Sequence, residues 1–200
     1  MSIKDTQLLF NEADHVYTLK SQNIILPSVT QVMDPLTSAI YDKVPTSNLF
    51  NKSCIGTDVH QATELLDRYN VEDIKEDLKG YLEAYKRFKK DYQPQMIFIE
   101  LMHYHTRLYY AGTIDRLALI DNKFVLFDIK TTEPIHLPRV AVQTSAYEHI
   151  FTNEKIQVDE RAALLLRRDG TYEFYQNLPD QWDIFESLLK VHYYKQKMKK

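Results

Sequence analysis

The chain of 200 residues predicts an α/β fold, on three observations. The stretch Ala111–Glu133 reads as two apolar strands, GTIDRLALI and KFVLFDIKT, joined at Asp121-Asn122-Lys123. Runs of Ile, Leu, Val and Phe broken by Asp-Asn are strand and turn chemistry. Segments with helical periodicity cover 54–70, 72–92, 138–151 and 179–200. Further strand patterns lie at 8–26, 95–104 and 161–178, so strands and helices interleave along the chain.

The hairpin at 111–133 carries charges where a fold normally keeps apolar side chains: Asp115, Asp128 and Lys130. Alternation puts Asp128 and Lys130 on one face, with Phe127 and Ile129 on the other. If the strands pair around Asn122, Asp115 and Asp128 fall opposite each other. Two facing carboxylates repel, and a cation between them removes the cost. Hard oxygen donors suit Mg²⁺ or Mn²⁺.

The pairing of Gly112-Thr113-Ile114-Asp115 with Asp128-Ile129-Lys130-Thr131 one strand later resembles the core of the PD-(D/E)XK nuclease superfamily. The resemblance is to its RecB-like branch, which includes phage recombination exonucleases and the mitochondrial genome-maintenance exonuclease. It implies a restriction-endonuclease-like fold, a mixed central sheet flanked by helices, with N-terminal helices over the site. It implies a metal-dependent deoxyribonuclease acting on DNA, with Asp115 and Asp128 as metal ligands and Lys130 as the catalytic lysine. Glu100, in the strand before G-T-x-D, would complete the acidic set; the alternative is an edge or cross-strand partner for Arg107 or Arg116. His60, in a G-x-x-x-H-like helix, would reach the metal and tilt preference toward Mn²⁺. The Ile129 carbonyl would be a further ligand. Gln143 and Tyr147, one helical turn apart, match the Q-x-x-x-Y of that branch and would line the site.

Taken in order, 8–20 reads as strand, a turn at Asn11–Asp14 and a second strand, followed by a turn at 21–23 and the strand Ile24–Leu26. Leu26-Pro27-Ser28-Val29-Thr30 resembles an element of the same branch. The Ser28 and Thr30 hydroxyls either cap the next helix or hold a phosphate. Residues 34–52, with Pro35 and Pro45, read as a loop. A helix then starts at Ser53 or Thr57, with Val59, Ala62, Leu65 and Leu66 as its apolar stripe. Residues 72–92 read as a helix with the stripe Ile74, Leu78, Leu82, Tyr85 and Phe88. Arg139, in the first turn of the helix that opens at Pro138, is a candidate phosphate ligand. Asp169-Gly170 turns a second hairpin, and Pro179 opens a C-terminal helix whose inner face is Trp182, Phe185, Leu188 and Leu189.

Composition narrows the reading further. A hydrophobic fraction of 44% and a charged fraction of 26% are those of an ordinary globular domain. One domain is expected: an N-terminal hairpin and helices to about 94, a catalytic core over about 95–178, and a helix over about 179–200. One cysteine, Cys54, excludes an internal disulfide and a four-cysteine iron–sulfur cluster, and points to a reducing cytoplasm. Neither a signal-peptide pattern nor a run of membrane-spanning length is expected. The net charge of -3 is not that of a DNA-coating protein. Basic residues nonetheless cluster at 86–90, at 161–168 and at 195–200. The resemblance leaves exonuclease and endonuclease open, and a recombination or single-strand-annealing partner is an expectation of the same kind. The competing readings are a DNA-end-binding protein without catalysis and a structural hairpin without metal.

Overall fold

The structure, a computed structural model, describes residues 8–11, 16–41, 46–153 and 156–198. Strands β1 (Leu8–Asn11), β2 (Val16–Leu19) and β3 (Ile24–Leu26) form an antiparallel meander. The turn expected at 11–14 lies outside the described residues except for Asn11, which ends β1. Strands β4 (Gln95–Tyr104), β5 (Ala111–Ile120), β6 (Lys123–Lys130), β7 (Glu160–Leu166) and β8 (Tyr172–Tyr175) form a five-stranded sheet in chain order. All its pairs are antiparallel except β6 with β7. A parallel pair needs a crossover, and helix α5 (Leu137–Ile150) supplies it. The expected mixed α/β architecture is present.

Local chemistry accounts for the hairpins. Ile120 pairs with Lys123, so Asp121 and Asn122 alone make the turn, at φ of 48° and 62°. Positive φ at both positions is the geometry whose twist suits a two-residue hairpin, and Asn and Asp tolerate it. Gly170 takes φ 82° in the turn before β8.

Helices cover both faces of the large sheet. On one face, α3 (Thr46–Tyr69) and α4 (Lys79–Tyr92) pack Val59, Leu66, Leu82 and Phe88 against Ala118, Phe127, Ile129 and Leu164. On the other, α1 (Val29–Val32), α5 and α6 (Trp182–Met198) pack Val29, Val142, Phe185 and Leu189 against Leu117 and Leu126. Neighbouring Leu126 and Phe127 thus serve opposite cores, as strand alternation requires. The small sheet docks through Tyr17, Leu19 and Leu26 onto Ala111, whose amide donates to the Pro27 carbonyl at 2.9 Å.

Two expectations are corrected. Residues 34–52 are not a loop: α2 spans Asp34–Tyr41 and α3 begins at Thr46. Pro35 lies in the first turn of α2, where its missing amide has no helical partner to lose. Pro45 lies outside the described residues. Ser53 and Thr57 are interior to α3, and the Thr57 hydroxyl donates to the Ser53 carbonyl one turn back at 3.1 Å. The second helix begins later than residue 72. Residues 76–78 form a 3₁₀ turn that leads into α4. Upstream of it, Lys75 pairs with Asp58 at 2.6 Å, Glu72 with Lys86 at 2.9 Å, and Ile74 packs against the core without helical structure.

Gly80, in the first turn of α4, lies against the turn after β7. A Cβ there would come 1.7 Å from the Arg168 carbonyl oxygen, which is backbone and cannot swing away. In a free helix, Gly→Ala gains up to about 1 kcal/mol. Here overpacking reverses the sign, and Gly80→Ala is expected to cost about 1–3 kcal/mol. Thermal melting checks this as a drop of several degrees; an unchanged or raised melting temperature would refute the close approach.

Candidate active site

The site forms where two strands part. β5 and β6 pair from Ile120↔Lys123 to Arg116↔Phe127, and there the ladder between them ends. Beyond that point β5 continues with β4, and β6 with β7. Asp115 and Asp128 are the first residues past the fork. The Asp115 carboxylate takes over from the lost ladder, its Oδ2 accepting the Ile129 amide at 2.7 Å. A cleft of about 450 Å³ opens at the fork, with residues of the small sheet, α1, α3, β4, β5, β6 and α5 in its wall.

Three elements deliver ligand-type atoms to one point. His60 of α3, Glu100 of β4 and Asp115 of β5 each place one donor atom so that all lie within 4.8 Å of one another. His60 Nδ1 is 3.2 Å from Glu100 Oε1 and 3.7 Å from Asp115 Oδ2. Its Nε2 lies 3.2 Å from the Ile129 carbonyl oxygen. Glu100 reaches in from a left-handed backbone, φ 44°, three residues after a register shift in β4. A non-glycine residue held there costs about 1–3 kcal/mol, and such strain collects at functional sites.

Asp128 and Lys130 project together from β6, as alternation predicts. Lys130 Nζ lies 2.5 Å from the buried Asp128 Oδ2 as an ion pair. Lys130 also donates to Gln143 Oε1 at 3.2 Å, and Gln143 Nε2 donates to the Tyr147 hydroxyl at 3.1 Å. Tyr147 packs over Gly112, where an added Cβ would come 2.6 Å from the ring. The glycine of G-T-I-D is therefore required by close packing.

Burial and mutual charge set the protonation states. Burial raises the pKa of Asp115, opposed by His60 and reinforced by Glu100. Burial likewise raises that of Asp128, opposed by Lys130 and reinforced by Asp115. Burial would lower the His60 pKa, but the Asp115 charge, then Glu100 and Asp128, override it and hold the pKa up at about 9. Burial first, then the Asp128 and Asp115 charges, push the Tyr147 phenol well above its ordinary value, so it acts as a neutral hydroxyl.

The remaining predicted residues fall into two places. Ser28 and Thr30 are on the cleft wall. Ser28 Oγ accepts the Gln31 amide at 3.0 Å while Gln31 Oε1 accepts the Ser28 amide at 3.0 Å, a reciprocal helix cap. The Ser28 and Thr30 hydroxyls lie 2.9 Å apart. Arg139 is not in the main cleft. It lines an adjoining cavity of about 160 Å³ that shares Lys130, and its Nε donates to Thr37 of α2 at 3.1 Å. The expected basic clusters are largely occupied. Lys86 pairs with Glu72 and Glu83, Lys89 with Asp67, Arg161 with Glu148, Arg167 with Glu133 and Glu173, and Arg168 with Asp77. Lys199 and Lys200 lie outside the described residues.

The support beneath the cluster was legible in the sequence only as a cross-strand pair of Glu100 with Arg116; the rest of the network was missed. Arg116, fully buried, donates to Glu100 at 2.8 Å, Asp67 of α3 at 2.8 Å, Thr63 at 3.1 Å and the Asp115 carbonyl at 2.7 Å. Asp67 also accepts from Tyr85 at 2.5 Å and Lys89 at 2.7 Å. An arginine inside the apolar run of β5 was the available signal. Tyr17, whose hydroxyl lies 2.8 Å from Thr113 Oγ1, was missed as well; its side chain lines the cleft from the small sheet.

No family model matches the chain, and no curated protein matches it. Among solved structures it is similar to an alkaline exonuclease, LHK-Exo, from Laribacter hongkongensis. The identity is 11%, over 86% of this chain and 88% of that one, with a TM-score of 0.48. It is also similar to LHK-Exo in complex with dAMP, at 11% identity over 87% and 89% of the two chains, with a TM-score of 0.49. No helix among the described residues is long and apolar enough to cross a membrane.

The raised pKa of His60 makes stability depend on pH. Between the ordinary value of 6.5 and about 9 the folded state holds a proton that the unfolded chain has released. Stability in that window therefore falls as pH rises. In EDTA, urea unfolding is expected to show a loss between pH 6.5 and 9 that His60→Gln flattens. An equally steep loss in that variant would place the proton elsewhere.

Proposed function

We propose that this chain is a metal-dependent DNA exonuclease that hydrolyses phosphodiester bonds in the cleft at the β5–β6 fork. The observation that carries the reading is the convergence of His60, Glu100 and Asp115 at one point, with the Ile129 carbonyl and the Asp128–Lys130 pair lining the same cleft. A structural hairpin would have no use for three buried or half-buried acids beside a histidine.

The donor set fits a hard divalent cation. Oxygen and imidazole ligands of one ion at about 2.0–2.3 Å stand roughly 3 Å apart, close to the 3.2 and 3.7 Å spacings of His60 Nδ1 from its acidic partners. His60, Glu100 and Asp115 would hold Mg²⁺ or Mn²⁺; the resemblance adds Asp128 and the Ile129 carbonyl as ligands, and the imidazole favours Mn²⁺. When bound, the ion supplies countercharge for the phosphate and lowers the pKa of water.

The other side chains have separable tasks. Lys130, steadied by Asp128 and Gln143, would orient the attacking water, take its proton as the neutral amine, or as the ammonium stabilise charge on the phosphate. Gln143 and Tyr147 form the wall beside it and position the substrate backbone. Tyr147, kept neutral, presents a hydroxyl without adding negative charge. Ser28 and Thr30 border the same wall, and Arg139 offers a guanidinium in the adjoining cavity for a neighbouring phosphate. An exonuclease, in preference to an endonuclease, is supported by the resemblance of G-T-I-D and D-I-K-T to the RecB-like branch.

Linear single- and double-stranded DNA, labelled separately at each end, tests the reading in Mg²⁺, Mn²⁺ and EDTA beside a closed circle. Metal-dependent loss from one end with the circle spared is expected. Cutting of the circle would make the chain an endonuclease, and binding without cleavage would make it an end-binding protein. Lys130→Ala is expected to lower cleavage at least a hundredfold, as removal of a general acid–base group does, with the melting temperature nearly unchanged. Mn²⁺ should raise the melting temperature of wild type and of Lys130→Ala, and much less that of Asp115→Ala. Full activity in Lys130→Ala would remove lysine from the mechanism.

A further inference from the structure

Helix α6 has two apolar faces, and the fold uses one. Its inner face buries Phe185 and Leu189, and the Tyr193 hydroxyl donates to the carbonyls of Leu108 at 3.1 Å and Tyr109 at 2.5 Å. On the opposite face Ile184, Val191, Tyr194 and Met198 are 44%, 47%, 64% and 72% exposed. A helix that covers a core is normally polar on its outer side. Ile184, Val191 and Met198 are spaced by seven, with Ser187 and Tyr194 three residues after the first two. That is the a/d pattern by which one helix packs along another. A groove of about 180 Å³ borders the stripe, lined by Pro35, Leu188, Val191 and Lys195, among others.

Charge identifies the occupant. Asp183 flanks the stripe at its N-terminal end, and Lys195 and Lys197 flank it at the C-terminal end. In the middle, Lys190 is matched within the helix by Glu186 at 2.8 Å. Acid first and base last also suits the helix dipole, but the dipole gives no reason for apolar residues at every seventh position. A second copy of α6 laid antiparallel brings each acidic end against a basic one. A parallel copy would set lysine against lysine. An antiparallel pair is compatible with a closed dimer about a two-fold axis perpendicular to the helices.

We propose that α6 is a self-association surface: two copies of this chain dock antiparallel along Ile184, Val191, Tyr194 and Met198, with Asp183 of each facing Lys197 of the other. The 17-residue helix spans about 25 Å, and the bordering groove widens the contact beyond the stripe.

Analytical ultracentrifugation of the full chain at rising concentration is the test. A mass approaching twice the 23.7 kDa of one chain is expected. Val191→Asp and Ile184→Asp should each weaken association at least tenfold with unchanged circular dichroism, since both side chains face solvent in the monomer. Asp183→Lys should also weaken it, and Asp183→Lys combined with Lys197→Asp should restore it. A single-chain mass at about 100 µM, near the weak end of specific association, would overturn the proposal. So would an assembly indifferent to Val191→Asp, or a charge swap that fails to restore the pair. Loss of affinity for duplex DNA in Val191→Asp with the mass unchanged would assign the stripe to nucleic acid and also overturn it.

Discussion

The candidate site depends on one buried guanidinium. Arg116 joins α3, through Asp67 and Thr63, to β4, through Glu100, while sitting in β5 beside Asp115. A charge buried there is tolerable because its donors are met by two carboxylates, a hydroxyl and a carbonyl. Breaking such a network typically costs about 3–5 kcal/mol, mostly as the penalty of charges left unpaired. The same contacts decide where Glu100 and His60 stand, so the interaction that secures α3 to the sheet also sets the spacing of the acidic cluster.

A second constraint is the fork itself. If the β5–β6 ladder continued, the Ile129 amide would bond to backbone and no cleft would exist. The strands part, and the Asp115 carboxylate takes that amide at 2.7 Å. One of its oxygens thus does structural work beside the ligand cluster. The imidazolium of His60 offsets part of the negative charge gathered at the fork, and a divalent cation would do so more completely. Protonation of His60 and metal binding are thereby competing solutions to the same electrostatic problem.

Much of this was legible in the chain. The two-residue turn, the shared face of Asp128 and Lys130, the Gln143–Tyr147 pair and the Ser28 cap all follow from periodicities of two and 3.6 and from local hydrogen-bond chemistry. Residues 34–52 were misread because prolines and small polar residues mark loops by composition. Pro35 falls instead in the first turn of a helix, where it breaks nothing. Residues 72–75 carried a helix pattern, but the helix follows only after the 3₁₀ turn at 76–78, and Lys75 and Glu72 pair instead with Asp58 and Lys86. For Arg139 the sequence shows only that it opens α5, not which cavity it faces. Its bond to Thr37, 102 positions away, turns it into the neighbouring cavity.

By itself the sequence determined the strands and most of the helices, the hairpin that bears the acids, and the kind of chemistry those acids suit. These are local properties: side-chain alternation, turn preference and the hardness of oxygen donors. Only the tertiary structure decided that His60 and Glu100, forty positions apart, meet Asp115, that Arg116 holds them there, and that β5 and β6 separate just where the carboxylates lie. Those outcomes come from long-range packing and from the need to match every buried charge, which no window of sequence contains.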